Sequence, residues 1–132
     1  MDVSSFEACV QALDDPARAA SASSALEALR ASASTLPLLR AVVSTSTSPA
    51  AQFHAVLTVR AVCVRAWPSL APGERAGARA WLLNIARERG HTFAAPVVTA
   101  LIVASAVLWK RGWLEECGTG AGGGCGGGGV DD

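Results

Sequence analysis

Tyrosine is absent from this chain, methionine occurs once, histidine occurs twice, and aromatic residues make up only 5% of the whole. That scarcity argues against a sheet, whose strands draw on aromatic and β-branched side chains; the abundance of alanine, with Leu, Arg and Glu through the middle, favours helix. Zinc spacing is missing too: Cys9, Cys63, Cys117 and Cys125 form no CxxC pair, so they read as free thiols. The opening MDVSSFEACVQALDDP has no basic start followed by an apolar run. No secretory signal is therefore expected, and a reducing intracellular compartment is the default. The tract GTGAGGGCGGGG has no following Lys-Ser or Lys-Thr, no preceding strand signal and no following helix signal, which excludes a phosphate loop.

Charge is sparse and uneven. Residues 1–36 hold two arginines against five acids, residues 37–113 hold nine cations against Glu74 and Glu88, and residues 114–132 hold four acids and no base. A basic middle could face an acidic partner. Its cations never cluster beyond two in a row and have no stacking aromatics interleaved, so a solvated helix surface is expected and a nucleic-acid partner is not.

Periodicity places the helices. Ser48 suits an N-cap and Pro49 a first helical position, so a helix should run from Ser48 to Trp67. His54, Thr58, Ala61 and Arg65 form its polar stripe, opposite Phe53, Val56, Leu57, Val59, Cys63, Val64 and Trp67. Arg60 falls on the apolar side and must snorkel or find a partner. Pro68 and Pro72-Gly73 break the chain, and a second helix is expected from about Glu74 to Arg89, ended by Gly90 as a left-handed C′ residue. It buries Ala78, Trp81, Leu82, Leu83, Ile85 and Ala86 and wets Ala80, Asn84, Arg87 and Glu88. The short connection implies that these two helices are antiparallel neighbours. A third helix should span about Phe93 or Pro96 to Arg111 and stop at Gly112. Upstream, weaker patterns give helices near Phe6 to Leu13, Pro16 to Ser32 and Pro37 to Ser44. The Gly-rich segment 117–132 reads as a disordered, low-complexity tail to a helical segment 1–116.

PVVTALIVASAVLWKRGW, Pro96 to Trp113, is the most hydrophobic stretch. It is apolar nearly all round, with Thr99 and Lys110 as a weak polar seam, and so needs burial on every side. From Phe93 to Trp109 there are 17 residues without a charge, with Lys110, Arg111 and Trp113 placed like an interfacial anchor, so a single membrane span over 96–111 competes. The run reaches only about 25 Å at the helical rise, includes several alanines and contains Pro96. Two preceding helices with wide apolar faces need a covering surface, and this helix can supply it. Helix pairs of this length suggest a HEAT-type superhelical solenoid, with helices 48–67 and 74–89 as one repeat and the third opening the next.

The stretch AQFHAVLTVRAVCVRAWPSLAPGERAGARAWLLNIARERG followed by VTALIVASAVLWKRGWLEE resembles the amino-terminal HEAT repeats of exportin-four-like nuclear transport receptors, members of the importin-β superfamily. The matching elements are Phe53 and Ala55, Arg65-x-Trp67, Arg79 with Leu82-Leu83, and Val107 with Lys110-Arg111-Gly112 and Leu114, over roughly Ala50 to Glu116. The resemblance implies a non-enzymatic receptor, without cofactor, that shuttles between nucleus and cytoplasm. Its implied partners are the Ran GTPase in its GTP form, protein cargo and nuclear pore proteins, with no nucleic acid and no membrane. Inner-face helices bind Ran in that family, which makes the helix 74–89 a candidate, with Asn84, Arg87 and Glu88 on its polar strip as partner-binding residues. Such receptors are several times longer, so the chain reads as an amino-terminal fragment, truncated isoform or incomplete gene product. A helical scaffold unrelated to transport satisfies the same patterns.

An enzyme needs converging polar groups, and few are on offer. His54 and Cys63 lie about 13 Å apart along one helix and point to nearly opposite sides, which precludes a Cys–His pair. His91, beside Gly90, reads as a turn residue. Asp14-Asp15-Pro16 reads as a helix start and not as a carboxylate pair. Trp67, Trp81, Trp109 and Trp113 read as core and helix-end packing residues.

Overall fold

The computed structural model describes the backbone of residues 1–119 and side chains as far as Trp113. Six α-helices and three short 3-10 turns carry it, with no strand among the described residues: α1 (Val3–Ala12), α2 (Ala19–Leu29), α3 (Leu36–Thr45), α4 (Pro49–Ala66), α5 (Pro72–Arg89) and α6 (Ala95–Thr119). The all-helical expectation holds, and most boundaries fall within a few residues of where the periodicity puts them. Residues 120–132, the bulk of the expected tail, lie outside the described residues; 117–119 are the last residues of α6.

Local chemistry explains the starts. Asp2 caps α1, its Oδ1 accepting the Ser5 N–H at 2.8 Å, and this bond holds the Asp2 carboxyl below its ordinary range. Asp15 organises the turn into α2: Oδ1 accepts the Ala17 N–H at 3.0 Å and Oδ2 pairs with Arg18 Nε at 3.1 Å. The turn uses up three residues, so α2 starts at Ala19 and not at Pro16. Ser48 caps α4 as expected, accepting the Ala51 N–H at 3.2 Å. Glu74 Oε1 accepts the Ala71 N–H at 2.8 Å at the head of α5; alanine has no side-chain acceptor, so only this half of a capping box exists.

Of two expected helix stops, α5 does end at Arg89 but without the left-handed glycine, and the other does not occur. Gly90 adopts φ −55° and ψ −33°, right-handed geometry, and passes the chain into a 3-10 turn over Gly90–Thr92. Gly112 does not end α6 at all; the helix continues to Thr119. A glycine inside a helix costs only about 1 kcal/mol, and here the missing side chain makes room. A Cβ at Gly112 would sit 2.2 Å from Arg79 Nη1 and 3.5 Å from Trp67 Cζ2. The glycine therefore marks a close approach of α6 to α5 and to the end of α4.

Helix pairing also shifts by one element. The closest approaches are α1 with α2, α3 with α4, and α5 with α6, together with α4 against α6; α4 with α5 is not among them. The connection between α4 and α5 is short but starts with a 3-10 turn, Trp67–Ser69, that carries Pro68. The segments 46–48 and 90–94 make the tight returns instead. Side chains tie α3 to α5: the Arg40 guanidinium lies 5.4 Å from the Trp81 ring centroid, and Arg89 Nη1 donates to the Ser44 carbonyl. Accordingly α6 closes the α5 pair and does not open a new one.

A single apolar cluster runs through these contacts, from Phe6 and Leu39 through Val56, Val59 and Trp67 to Leu82, Leu101 and Leu108. Leu101 and Leu108 are fully buried, as covering by α4 and α5 requires. On α4 the polar stripe is narrower than drawn. Thr58 is buried, its Oγ1 donating at 2.7 Å to the His54 carbonyl, which satisfies the hydroxyl within the helix and frees its methyl to pack. Buried Gln52 is satisfied by donating to the Ser46 carbonyl at 2.7 Å.

Candidate partner-binding surfaces

The basic excess of residues 37–113 has a structural use. Four of its arginines lie over aromatic faces: Arg40 over Trp81, Arg75 over Trp67 at 5.6 Å, Arg79 over Trp109 at 4.8 Å and Arg89 over Phe93 at 5.7 Å. Arg75 Nε also donates to the Trp67 carbonyl at 2.9 Å, tying the start of α5 to the end of α4. Such contacts contribute roughly 0.5–2 kcal/mol each, depending on exposure. Two of them, Arg40 over Trp81 and Arg79 over Trp109, join one α-helix to another where a solvated surface was expected. The ion pairs Arg18–Asp15 and Arg30–Glu27 are local and lie outside this basic region.

Asn84, Arg87 and Glu88 are all exposed on α5, and their spacing puts them on one strip, away from the buried Ala78, Leu82 and Ile85. Trp81, expected to be buried, is half-buried beneath Arg40, and Leu83 is exposed.

The outward face of α6 is the largest departure from the expected burial on every side. Val97, Ala100, Leu101, Ala104 and Leu108 are buried, whereas Ile102 is 60% exposed, Val103 41%, Trp109 48% and Trp113 58%. Ala95–Trp113 is long and apolar enough to cross a membrane by length and composition, and 39% of that stretch is buried inside the fold. A groove of about 470 Å³ runs along the α4 flank of this face, with Phe53, Leu57 and Val103 among its walls. Arg60 lines it as well and is half-buried, on the apolar side of α4.

No catalytic arrangement forms among the groups that sequence reasoning weighed. Cys63 is fully buried, and desolvation pushes its thiol up to about 11. His54 is half-buried and meets the Phe53 ring edge-on at 5.8 Å; burial first, then the Arg30 charge, lowers its pKa. Its place is thus less wet than the stripe suggests. His91 is exposed in the turn Gly90–Thr92, as expected. Among the described residues no group of three His, Cys, Asp or Glu side chains could hold a metal ion. Long-range polar ties such as Ser46 Oγ donating to Glu7 Oε2 had no sequence signal, because nothing in either local pattern names the other partner.

No family model matches the sequence, and neither curated proteins nor solved structures yield a match.

Proposed function

We propose that this chain is a helical-repeat segment of an exportin-like nuclear transport receptor, binding Ran in its GTP form and protein cargo, with no catalytic role. One observation carries the reading: sequential helix pairs in which the second helix of one pair, α4, lies along the second helix of the next, α6. Repeated in one direction, that arrangement builds a HEAT-type solenoid, in which each pair contacts only its neighbours. It also accounts for the outer face of α6 without lipid, since in a stacked array a following pair covers that face as α6 covers α4. The resemblance over Ala50 to Glu116 supplies the transport assignment, and with it pore proteins as further partners and a shuttling life between nucleus and cytoplasm. The exposed strip Asn84, Arg87 and Glu88 supplies a protein-contact surface.

Capture by immobilised Ran tests it. The chain is expected to bind GTP-loaded Ran in preference to GDP-loaded Ran, and to bind less when Asn84, Arg87 and Glu88 are replaced together by alanine. Equal capture by both nucleotide forms would remove the transport assignment and leave an unrelated helical scaffold.

A second reading rests on the exposed Ile102, Val103, Trp109 and Trp113: a small protein held in a membrane by one span within α6. Burial of the opposite face of the same helix by α4 and α5 opposes it. Resistance of the expressed chain to alkaline carbonate extraction would favour the span.

A further inference from the structure

Between the 3-10 turn Ala33–Thr35, the first turn of α3 and the first two turns of α5 lies a cleft of about 580 Å³, within the range of small-ligand sites. Leu36, Pro37 and Leu70 give it apolar walls. Gly73 and Gly77 line it from α5, and a Cβ at either would meet nothing within 4 Å. At both glycines α5 thus leaves space that side chains would occupy.

Arg40 also lines the cleft. Its guanidinium carbon lies over the Trp81 ring, a contact that leaves the N–H donors of the group still in need of acceptors. Arg40 Nε is shielded from solvent and meets no acceptor. A buried donor without a partner is costly, and such groups in folded proteins call for an explanation. The amino-terminal ends of α3 and α5 both border the space, adding positive potential from two helix termini. Glu74 is the acid in the wall, and one of its oxygens already accepts the Ala71 N–H.

We infer that this cleft binds a carboxylate carried on a short apolar group, the carboxylate meeting Arg40 and the apolar stem packing on Leu36, Pro37 and Leu70. Two sources share that chemistry: a free alkyl carboxylic acid, and a peptide whose carboxyl-terminal residue is apolar. The inference concerns the α3–α5 side of the molecule and stands whether or not Ran is bound.

Trp81 beneath Arg40 provides the readout. Sodium octanoate and a peptide ending in Leu-Leu with a free carboxyl group are titrated against the full chain by tryptophan fluorescence, with octanamide and the carboxyl-amidated peptide as uncharged controls. At least one acid is expected to bind saturably, and which of them binds identifies the source. Its uncharged counterpart should bind about tenfold more weakly or worse, as loss of a charge-assisted hydrogen bond implies. Gly77→Leu fills the space while raising helix propensity, so it should abolish binding in a folded protein. Arg40→Met should weaken binding about tenfold, and Arg65→Gln, an exposed arginine on α4 outside the cleft, should leave it unchanged. Equal binding of acid and amide, undiminished binding to Gly77→Leu, equal losses in Arg40→Met and Arg65→Gln, or no saturable binding of either acid overturns the inference.

Discussion

Leu101 and Ile102 are adjacent in α6 but sit in opposite surroundings: Leu101 is fully buried against the fold, and Ile102 is among the most exposed apolar residues described. Replacing each in turn asks whether protein or lipid covers this helix. Leu101→Ala removes buried methyl groups and leaves a cavity, for which losses of roughly 2–5 kcal/mol are typical. Because α4 and α5 both approach α6, the site has little freedom to collapse, and about 3 kcal/mol is the reasonable expectation. For a domain of this size that lowers Tm by roughly 10–20 °C. Ile102→Lys places a cation on an exposed face and should change stability by about 0.5 kcal/mol or less. A span predicts the reverse order. Lysine near the centre of a hydrocarbon core costs roughly 3 kcal/mol of insertion free energy, whereas trading leucine for alanine there loses well under that. Thermal melting followed by circular dichroism, with fractionation of the expressing cells, decides between them. If Ile102→Lys proves more damaging than Leu101→Ala and also releases the chain from the membrane fraction, burial of α6 within the protein is refuted.

Two further outcomes follow from buried details. Gly112→Leu should destabilise by about 1–3 kcal/mol, because the larger side chain must displace Arg79 from Trp109 and press on Trp67; a variant as stable as the parent in urea denaturation would show that the close approach is not needed. Cys63 should resist thiol reagents at neutral pH until the chain unfolds. Since its folded value near 11 lies above the ordinary 9.0, the unfolded chain ionises first, so the stability this thiol contributes is whole below about pH 9 and is lost as pH climbs toward 11; Cys63→Ala should flatten that part of the pH–stability curve.

Which features could be read from the residues follows their physical range. Caps act over three residues, so Ser48 and its proline neighbour announced the start of α4 correctly. Hydrophobic period acts over a helix, so α4, α5 and the body of α6 were legible. Punctuation by glycine was not, because whether Gly90 turns left or Gly112 ends a helix depends on what lies across from it; at Gly112 that is Arg79 and Trp67, each more than 30 residues away in the chain. Pairing failed for a related reason. Connection length suggested α4 with α5, but Arg40 over Trp81 and Arg89 on the Ser44 carbonyl tie α5 to α3, and no periodicity encodes an arginine's choice of ring. The same choice turned an apparently free basic surface into helix-to-helix contacts. On the candidate site, the exposure of Asn84, Arg87 and Glu88 was legible from the wheel, whereas the cleft at Arg40 was invisible, being made where two helix starts meet.

The four tryptophans divide by surroundings in a way that furnishes the molecule with its own optical gauge. Trp67 is sealed in the core and Trp81 is half-covered by a guanidinium, while Trp109 and Trp113, one helical turn apart, look outward from α6. The red, water-relaxed part of the emission therefore comes chiefly from that outward patch, and whatever settles on it, be it polypeptide or acyl chain, announces itself as a blue shift without any label being attached.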